Sequence, residues 1–124
     1  MDSMPKKLLL VDDEASLVQL LKLTLEFSGE YKCSVAFSGE ECLDAVKESR
    51  PDLIIIDLMM PGIGGLEALK RVKTAEAGLP VLIMSAIEDE EKIREALAAG
   101  AAGWMIKPVE LDALKTKLDS ILQN

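Results

Sequence analysis

Short apolar runs alternate with amphipathic segments along the whole chain of 124 residues. The runs have the length of strands, whereas apolar residues in the segments between them recur every three or four positions, as they do in helices. The pattern predicts strands over residues 7–11, 31–37, 52–60, 80–85 and 102–106. It predicts helices over residues 14–28, from 38 to before Pro51, around 66–72, over 88–99 and over 108–122.

The predicted helices each offer one apolar face and have boundary signals. In the first helix, Leu17, Leu21 and Leu25 recur at intervals of four. The fourth helix begins with four acids, which suit the positive end of a helix dipole, and Gly100 ends it. In the last helix, the residues expected to point inward are Leu111, Leu114, Leu118 and Leu122.

The third strand decides the fold class. Its centre, residues 53–56, is continuously apolar, which is typical of a strand buried on both faces of a parallel sheet. Regular alternation of strands and helices with short connections favours right-handed crossovers and helices on both faces. We therefore predict an α/β fold of five βα units, with its ligand site at the carboxyl ends of the strands.

Polar residues follow the predicted strands at that edge. Asp12 and Asp13 follow the first strand, Asp57 lies in the third, Ser85 ends the fourth and Lys107 follows the fifth. Asp57 is the most informative, because it interrupts an apolar run that resumes at once, and a buried carboxylate without a partner is costly.

Composition narrows the classes of function. The 22 acidic and 14 basic residues give a net charge of −8, which disfavours binding to nucleic acid or to anionic membranes. The chain has no histidine, which excludes histidine metal sites and serine–histidine triads. We interpret Cys33 and Cys42 as small buried hydrophobes rather than a disulfide pair.

No segment has the pattern of a signal peptide or a membrane span, so a cytoplasmic setting is expected. Residues 1–5 are expected to be a disordered leader or an expression remnant, and residues 6–124 a single domain.

The polar residues at the strand ends suggest a reaction. Three carboxylates close together repel one another, and Mg²⁺ is the hard cation that such oxygen ligands favour. Lys107 and the Ser85 hydroxyl suit phosphoryl oxygens, and without histidine or a reactive cysteine the plausible nucleophile is an aspartate. The residues by themselves indicate Mg²⁺-dependent phosphoryl transfer onto a carboxylate.

The same residues resemble a known family over about residues 6–122. The resemblance is to the receiver domains of two-component response regulators, and the motifs that carry it are Asp12-Asp13, Asp57 with Met60-Pro61-Gly62, Ser85-Ala86 and Lys107-Pro108. It implies a flavodoxin-like (βα)5 fold with strand order 2-1-3-4-5. It also implies that a histidine kinase or a histidine phosphotransfer protein donates a phosphoryl group to Asp57.

The resemblance assigns further roles. Mg²⁺, or Mn²⁺ as a substitute, is implied to bind Asp12, Asp13, Asp57 and the backbone carbonyl of Met59. Ser85 and Trp104 take the two switch positions, Lys107 takes the position of the family's lysine, and the Lys107–Pro108 peptide is implied to be cis. Gly64 stands where an aspartate often caps the third helix.

The implied output is regulated binding. The surface expected to change is formed by the fourth helix, the fifth strand and the fifth helix, facing an unidentified output domain or effector, or a second phosphorylated copy. Met59 and Ile87 are both apolar and are expected to flank the approach of the hydrolytic water, which predicts slow loss of the phosphoryl group.

Two other classes of protein remain as alternatives to a receiver. A small aspartate-nucleophile phosphatase typically carries Asp-x-Asp after the first strand, whereas the two acids here are adjacent. A flavodoxin-like nucleotide or flavin binder needs a glycine- or hydroxyl-rich loop after that strand, where this chain has Glu14-Ala15-Ser16.

Overall fold

The computed structural model describes residues 4–86 and 90–122. Its centre is a five-stranded parallel sheet with the order β2-β1-β3-β4-β5, which confirms the predicted topology. The strands are β1 (Lys6–Val11), β2 (Tyr31–Ala36), β3 (Leu53–Asp57), β4 (Val81–Ser85) and β5 (Gly103–Ile106).

Five helices cover the two faces of the sheet. They are α1 (Ala15–Glu26), α2 (Gly39–Glu48), α3 (Gly64–Ala75), α4 (Glu90–Ala98) and α5 (Leu111–Leu122). Helices α2, α3 and α4 share one buried cluster with alternate strand residues such as Leu9 and Ile54, and α1 and α5 share the other with Leu8 and Ile55. Strands β1 and β3 are therefore buried on both faces, as the continuous apolar run in β3 predicts.

The apolar face of α1 differs from the prediction. Leu17 is 45% exposed, whereas Val18 and Leu25 are buried and Leu21 packs beside them. Residues 18, 21 and 25 follow the i, i+3, i+7 spacing of a helix, and the face centred on them is the one that meets the sheet. Leu17, Leu20 and Leu23 are left partly in solvent on the outer side of α1.

Several element boundaries also shift. Helix α5 begins at Leu111, three residues later than predicted, because residues 107–110 form the connection that carries Lys107. The Lys107–Pro108 peptide is cis, as the resemblance implies. Gly100 has a φ of 111° and follows α4, which confirms it as the helix stop. Of the four acids predicted at the start of α4, Glu90 and Glu91 lie in its first turn, and residues 88 and 89 lie outside the described residues.

Both cysteines are buried free thiols, as predicted. Cys33 lies in the cluster beneath α1 and α5, and Cys42 lies in the cluster on the opposite face of the sheet. Burial raises the pKa of each thiol to about 12, so both side chains act as small apolar groups at neutral pH. No helix in the described part of the chain has the length and apolar character needed to span a membrane.

Candidate functional site

The predicted polar residues converge at the carboxyl edge of the sheet. Asp57 and Ser85 are the last residues of β3 and β4, while Asp12 and Lys107 directly follow β1 and β5. The parallel register aligns these four strand ends, so residues far apart in sequence meet at one place. The strands that carry these polar residues are packed between two buried apolar clusters, which fixes the backbone positions of the site.

Three carboxylates form the centre of this site. Asp12, Asp13 and Asp57 each offer an oxygen, and these oxygens lie within 4.8 Å of one another. Asp12 and Asp57 are buried, with 3% and 6% of their surface exposed, whereas Asp13 faces solvent. Two buried acids and one exposed acid leave the cluster open on the side where Asp13 lies.

The ammonium of Lys107 bridges the two buried acids. Its Nζ donates to Oδ2 of Asp12 at 2.7 Å and to Oδ2 of Asp57 at 3.0 Å. A third acid, the exposed Glu14, places Oε1 at 3.5 Å from the same nitrogen. Burial acts to lower the pKa of Lys107, but its hydrogen bonds to Asp12 and Asp57 outweigh burial, so that pKa lies above its usual range.

Opposing effects act on Asp57. Burial raises the pKa of its carboxyl group, while hydrogen bonds from Lys107 and from the backbone N–H of Met59 lower it, and burial dominates. The Met59 N–H donates to Oδ1 at 3.1 Å, and Lys107 donates to Oδ2. Both oxygens of the carboxylate are therefore held in place, which fixes its orientation.

A close backbone contact between α3 and the end of β3 fixes the position of Asp57. The first turn of α3 lies against the end of β3, and a Cβ atom on Gly65 would come within 2.8 Å of the Leu58 Cα. Gly65 also donates its N–H to the carbonyl of Leu58 at 3.2 Å. Only glycine allows this approach, so Gly65 is a positioning residue of the site that the sequence pattern did not single out.

The oxygen donors present fit Mg²⁺. Carboxylates are the hard ligands that this ion prefers, and three of them are close enough together to share one cation. Among the described residues, no buried side-chain nitrogen or oxygen lacks a hydrogen-bond partner; the buried acids accept from Lys107 at Oδ2 and from the backbone N–H groups of Glu14 and Met59 at Oδ1.

Comparison with known proteins decides the family. The family model "Response regulator receiver domain" matches residues 8–119. The chain belongs to the response regulator receiver family. Receiver domains work with histidine kinases and output domains in two-component systems, and the family normally binds Mg²⁺. A receiver identity also disfavours the phosphatase alternative.

Individual relatives agree with the assignment to the receiver family. The receiver is 35% identical over 99% of its length to the DNA-binding response regulator MtrA of Mycobacterium tuberculosis, of which it covers 53%. It is 32% identical over 97% of its length to the response regulator MprA of Mycolicibacterium vanbaalenii, of which it covers 52%. The chain thus spans about half the length of the curated relatives that it matches.

Solved structures give the same fold. The chemotaxis protein CheY4 of Vibrio cholerae has a TM-score of 0.87 and 34% identity, and covers 94% of this receiver and 98% of its own chain. A response regulator of Chloroflexus aurantiacus has a TM-score of 0.88 and 34% identity, covering 97% of this chain and 99% of its own.

The other predicted residues differ in where they lie. Ser85 is buried at the end of β4, and Met59 is half exposed next to Asp57. Trp104 on β5 is 39% exposed and lines a surface groove with Ile93, Arg94 and Leu97 of α4. Ile87 lies outside the described residues.

Gly64 has a different role from the one expected. Its φ is 80°, so the chain enters α3 through a left-handed conformation, and no side chain caps that end of the helix. Glycine adopts this conformation readily, and an aspartate there would be strained.

Proposed function

We propose that this receiver takes up a phosphoryl group on Asp57 from a phosphohistidine of a histidine kinase or a histidine phosphotransfer protein. A carboxylate oxygen of Asp57 forms the bond to phosphorus as the P–N bond of the donor breaks, and that electron pair stays on the imidazole nitrogen. The observation that carries the proposal is the oriented Asp57 carboxylate at the end of β3, which lies beside two other acids and accepts a hydrogen bond from the Lys107 ammonium.

The neighbouring residues have supporting roles in this proposal. Asp12, Asp13 and Asp57, with the backbone carbonyl of Met59, would hold Mg²⁺ or its substitute Mn²⁺, which offsets the negative charge that gathers at the acceptor. Lys107 exchanges its contact with Asp57 for one with a phosphoryl oxygen while its 2.7 Å bond to Asp12 keeps the ammonium in place. The Ser85 hydroxyl donates to a second phosphoryl oxygen.

The test is incubation with Mg²⁺ and acetyl phosphate, followed by trapping of the acyl phosphate with hydroxylamine and peptide mapping. We expect one modified residue, Asp57, with a label that is stable in acid and lost in base. Label on a different residue would contradict the assignment.

We further propose that uptake of the phosphoryl group moves Ser85 toward it and lets Trp104 turn inward. Trp104 is the only tryptophan, so fluorescence reports this one position. Its indole is partly exposed to solvent in the groove that it lines with α4, so an inward turn would reduce its solvent exposure. We expect beryllofluoride with Mg²⁺ to lower acrylamide quenching of Trp104, and unchanged quenching with the mimic bound would show that Trp104 only packs on α4.

The lifetime of the phosphorylated state is proposed to be long, because apolar Met59 and Ile87 cannot orient a hydrolytic water. Met59 lies two residues after the acceptor and is half exposed at the edge of the site. We expect the Met59→Asn/Ile87→Glu double variant to lose its label several times faster after donor removal, while labelling still occurs. Equal decay rates would place the barrier at the contacts of Lys107 and Ser85.

We infer that output passes through the surface formed by α4, β5 and α5, because β5 carries Trp104 beside α4 and leads directly into Lys107, which contacts Asp57. Its partner is an output domain, a separate effector or a second phosphorylated copy. Because MtrA is a DNA-binding response regulator of about twice this length, one candidate output is control of DNA binding by a further domain.

A further inference from the structure

Glu14 is a fourth carboxylate at the mouth of the site, and the function proposed above gives it no role. Its Oε1 is 3.5 Å from Lys107 Nζ, and its side chain is 65% exposed. Because the same nitrogen is 3.0 Å from Oδ2 of Asp57, the carboxylates of Glu14 and Asp57 are no more than about 6.5 Å apart. Glu14 therefore brings a negative charge to the solvent side of the proposed acceptor.

The backbone of Glu14 is fixed on both sides. Its N–H donates to Oδ1 of Asp12 at 2.9 Å, and its carbonyl accepts the first hydrogen bond of α1, from Val18 N–H at 3.1 Å. Glu14 is the N-cap residue of α1, yet its side chain makes no capping hydrogen bond. Shorter polar side chains cap helices better than glutamate does, so helix stability does not account for this residue.

A carboxylate at this distance acts on ions that approach Asp57. It lies within one Debye length, about 10 Å at 0.1 M salt, so its field reaches the site in ordinary buffers. It attracts a divalent cation and repels an anionic phosphodonor, and the repulsion grows with the charge of the donor.

Resting on the function proposed above, we propose that Glu14 is a specificity-determining residue that makes this receiver discriminate among free phosphodonors by their charge. It disfavours dianionic donors more than monoanionic ones, and it strengthens binding of the divalent cation at the same time. The Glu14 side chain thus slows phosphorylation of the receiver by small, highly charged phosphodonors in solution.

The test compares Glu14→Gln with the wild type at 0.1 M salt. We expect labelling by the dianion acetyl phosphate to become about threefold faster and labelling by the monoanion phosphoramidate less than twofold faster. The dissociation constant for Mg²⁺, measured by calorimetry without donor, should rise about threefold. All three effects should disappear at 1 M salt, which a merely structural role would not predict.

Two further variants control for folding and for overall charge. Glu14→Asp keeps the charge and should behave like the wild type. Glu48→Gln removes an exposed acid at the far end of α2, away from the site, and should change none of the three quantities. Equal changes in Glu48→Gln, or rate and Mg²⁺ affinity moving in the same direction, would overturn the proposal.

The two proposals fail in different ways. If both donors label the wild type and Glu14→Gln equally fast, the role of Glu14 is wrong and the function of Asp57 stands. If neither protein takes up label, the proposed function is wrong, and donor selection by Glu14 is refuted with it.

Discussion

Replacing Asp57 by asparagine should reduce phosphoryl uptake at least about a hundredfold, to the limit of detection. An amide cannot form the acyl phosphate, and Asp12, which the Glu14 N–H and Lys107 hold in the same way, is proposed only as a metal ligand. The fold should survive, because asparagine has nearly the same shape and its oxygen can still accept from Met59 at the Oδ1 position. The measurement is radiolabel from a phosphodonor, with circular dichroism on the same sample.

The matched control is Asp44→Asn, which removes an exposed aspartate on α2 and the same single charge. It should take up label like the wild type. Label on the Asp57→Asn variant at the wild-type rate would move the acceptor to another residue, and peptide mapping would then identify it.

Mg²⁺ should raise the melting temperature of the wild type, and Asp13→Ala should abolish that rise. Asp13 is the exposed member of the three-carboxylate cluster, so its loss removes a proposed metal ligand without opening a buried cavity. An ion that binds only the folded state stabilises it by about 2.7 kcal/mol at a concentration one hundred times the dissociation constant. For a domain of this size that corresponds to roughly 8 °C.

Asp44→Ala is the control, and it should keep the full Mg²⁺ response. A chelator should return the wild type to its metal-free melting temperature. In metal-free buffer Asp13→Ala should be as stable as the wild type or slightly more stable, because the substitution removes the repulsion between Asp13 and the other two carboxylates. An equal Mg²⁺ shift in Asp13→Ala and the wild type would exclude the proposed ligand set.

The sheet and the core of the site could be predicted because both depend on local patterns. The apolar run of β3 shows that both faces are covered, and a parallel sheet aligns its strand ends at one edge. Asp57 follows from that argument, because a carboxylate inside such a run needs partners. Lys107 could be placed at the same edge because it follows the last strand, but the sequence predicted phosphoryl oxygens as its contacts and not its ion pairs with Asp12 and Asp57.

Other features depend on contacts that a pattern does not contain. Leu17 and Val18 are both compatible with an apolar helix face, and only the packing of α1 on the sheet selects Val18. Gly65 is one of three glycines within residues 62–65, and its importance comes from a backbone approach that exists only after folding. The ion pair of Glu14 joins residues at opposite ends of the chain, so sequence spacing gives no sign of it.

Because the site is assembled from separate strands, it is complete only after the last of these strands has folded onto the sheet. Asp12 follows the interior strand β1 and Asp57 ends the central strand β3, whereas Lys107 follows the partly buried edge strand β5, which is the last described strand along the chain. A chain on which β5 has not yet docked would offer the acids without their ammonium. If Asp57 takes up the phosphoryl group as proposed, we expect efficient uptake only in molecules on which β5 has docked.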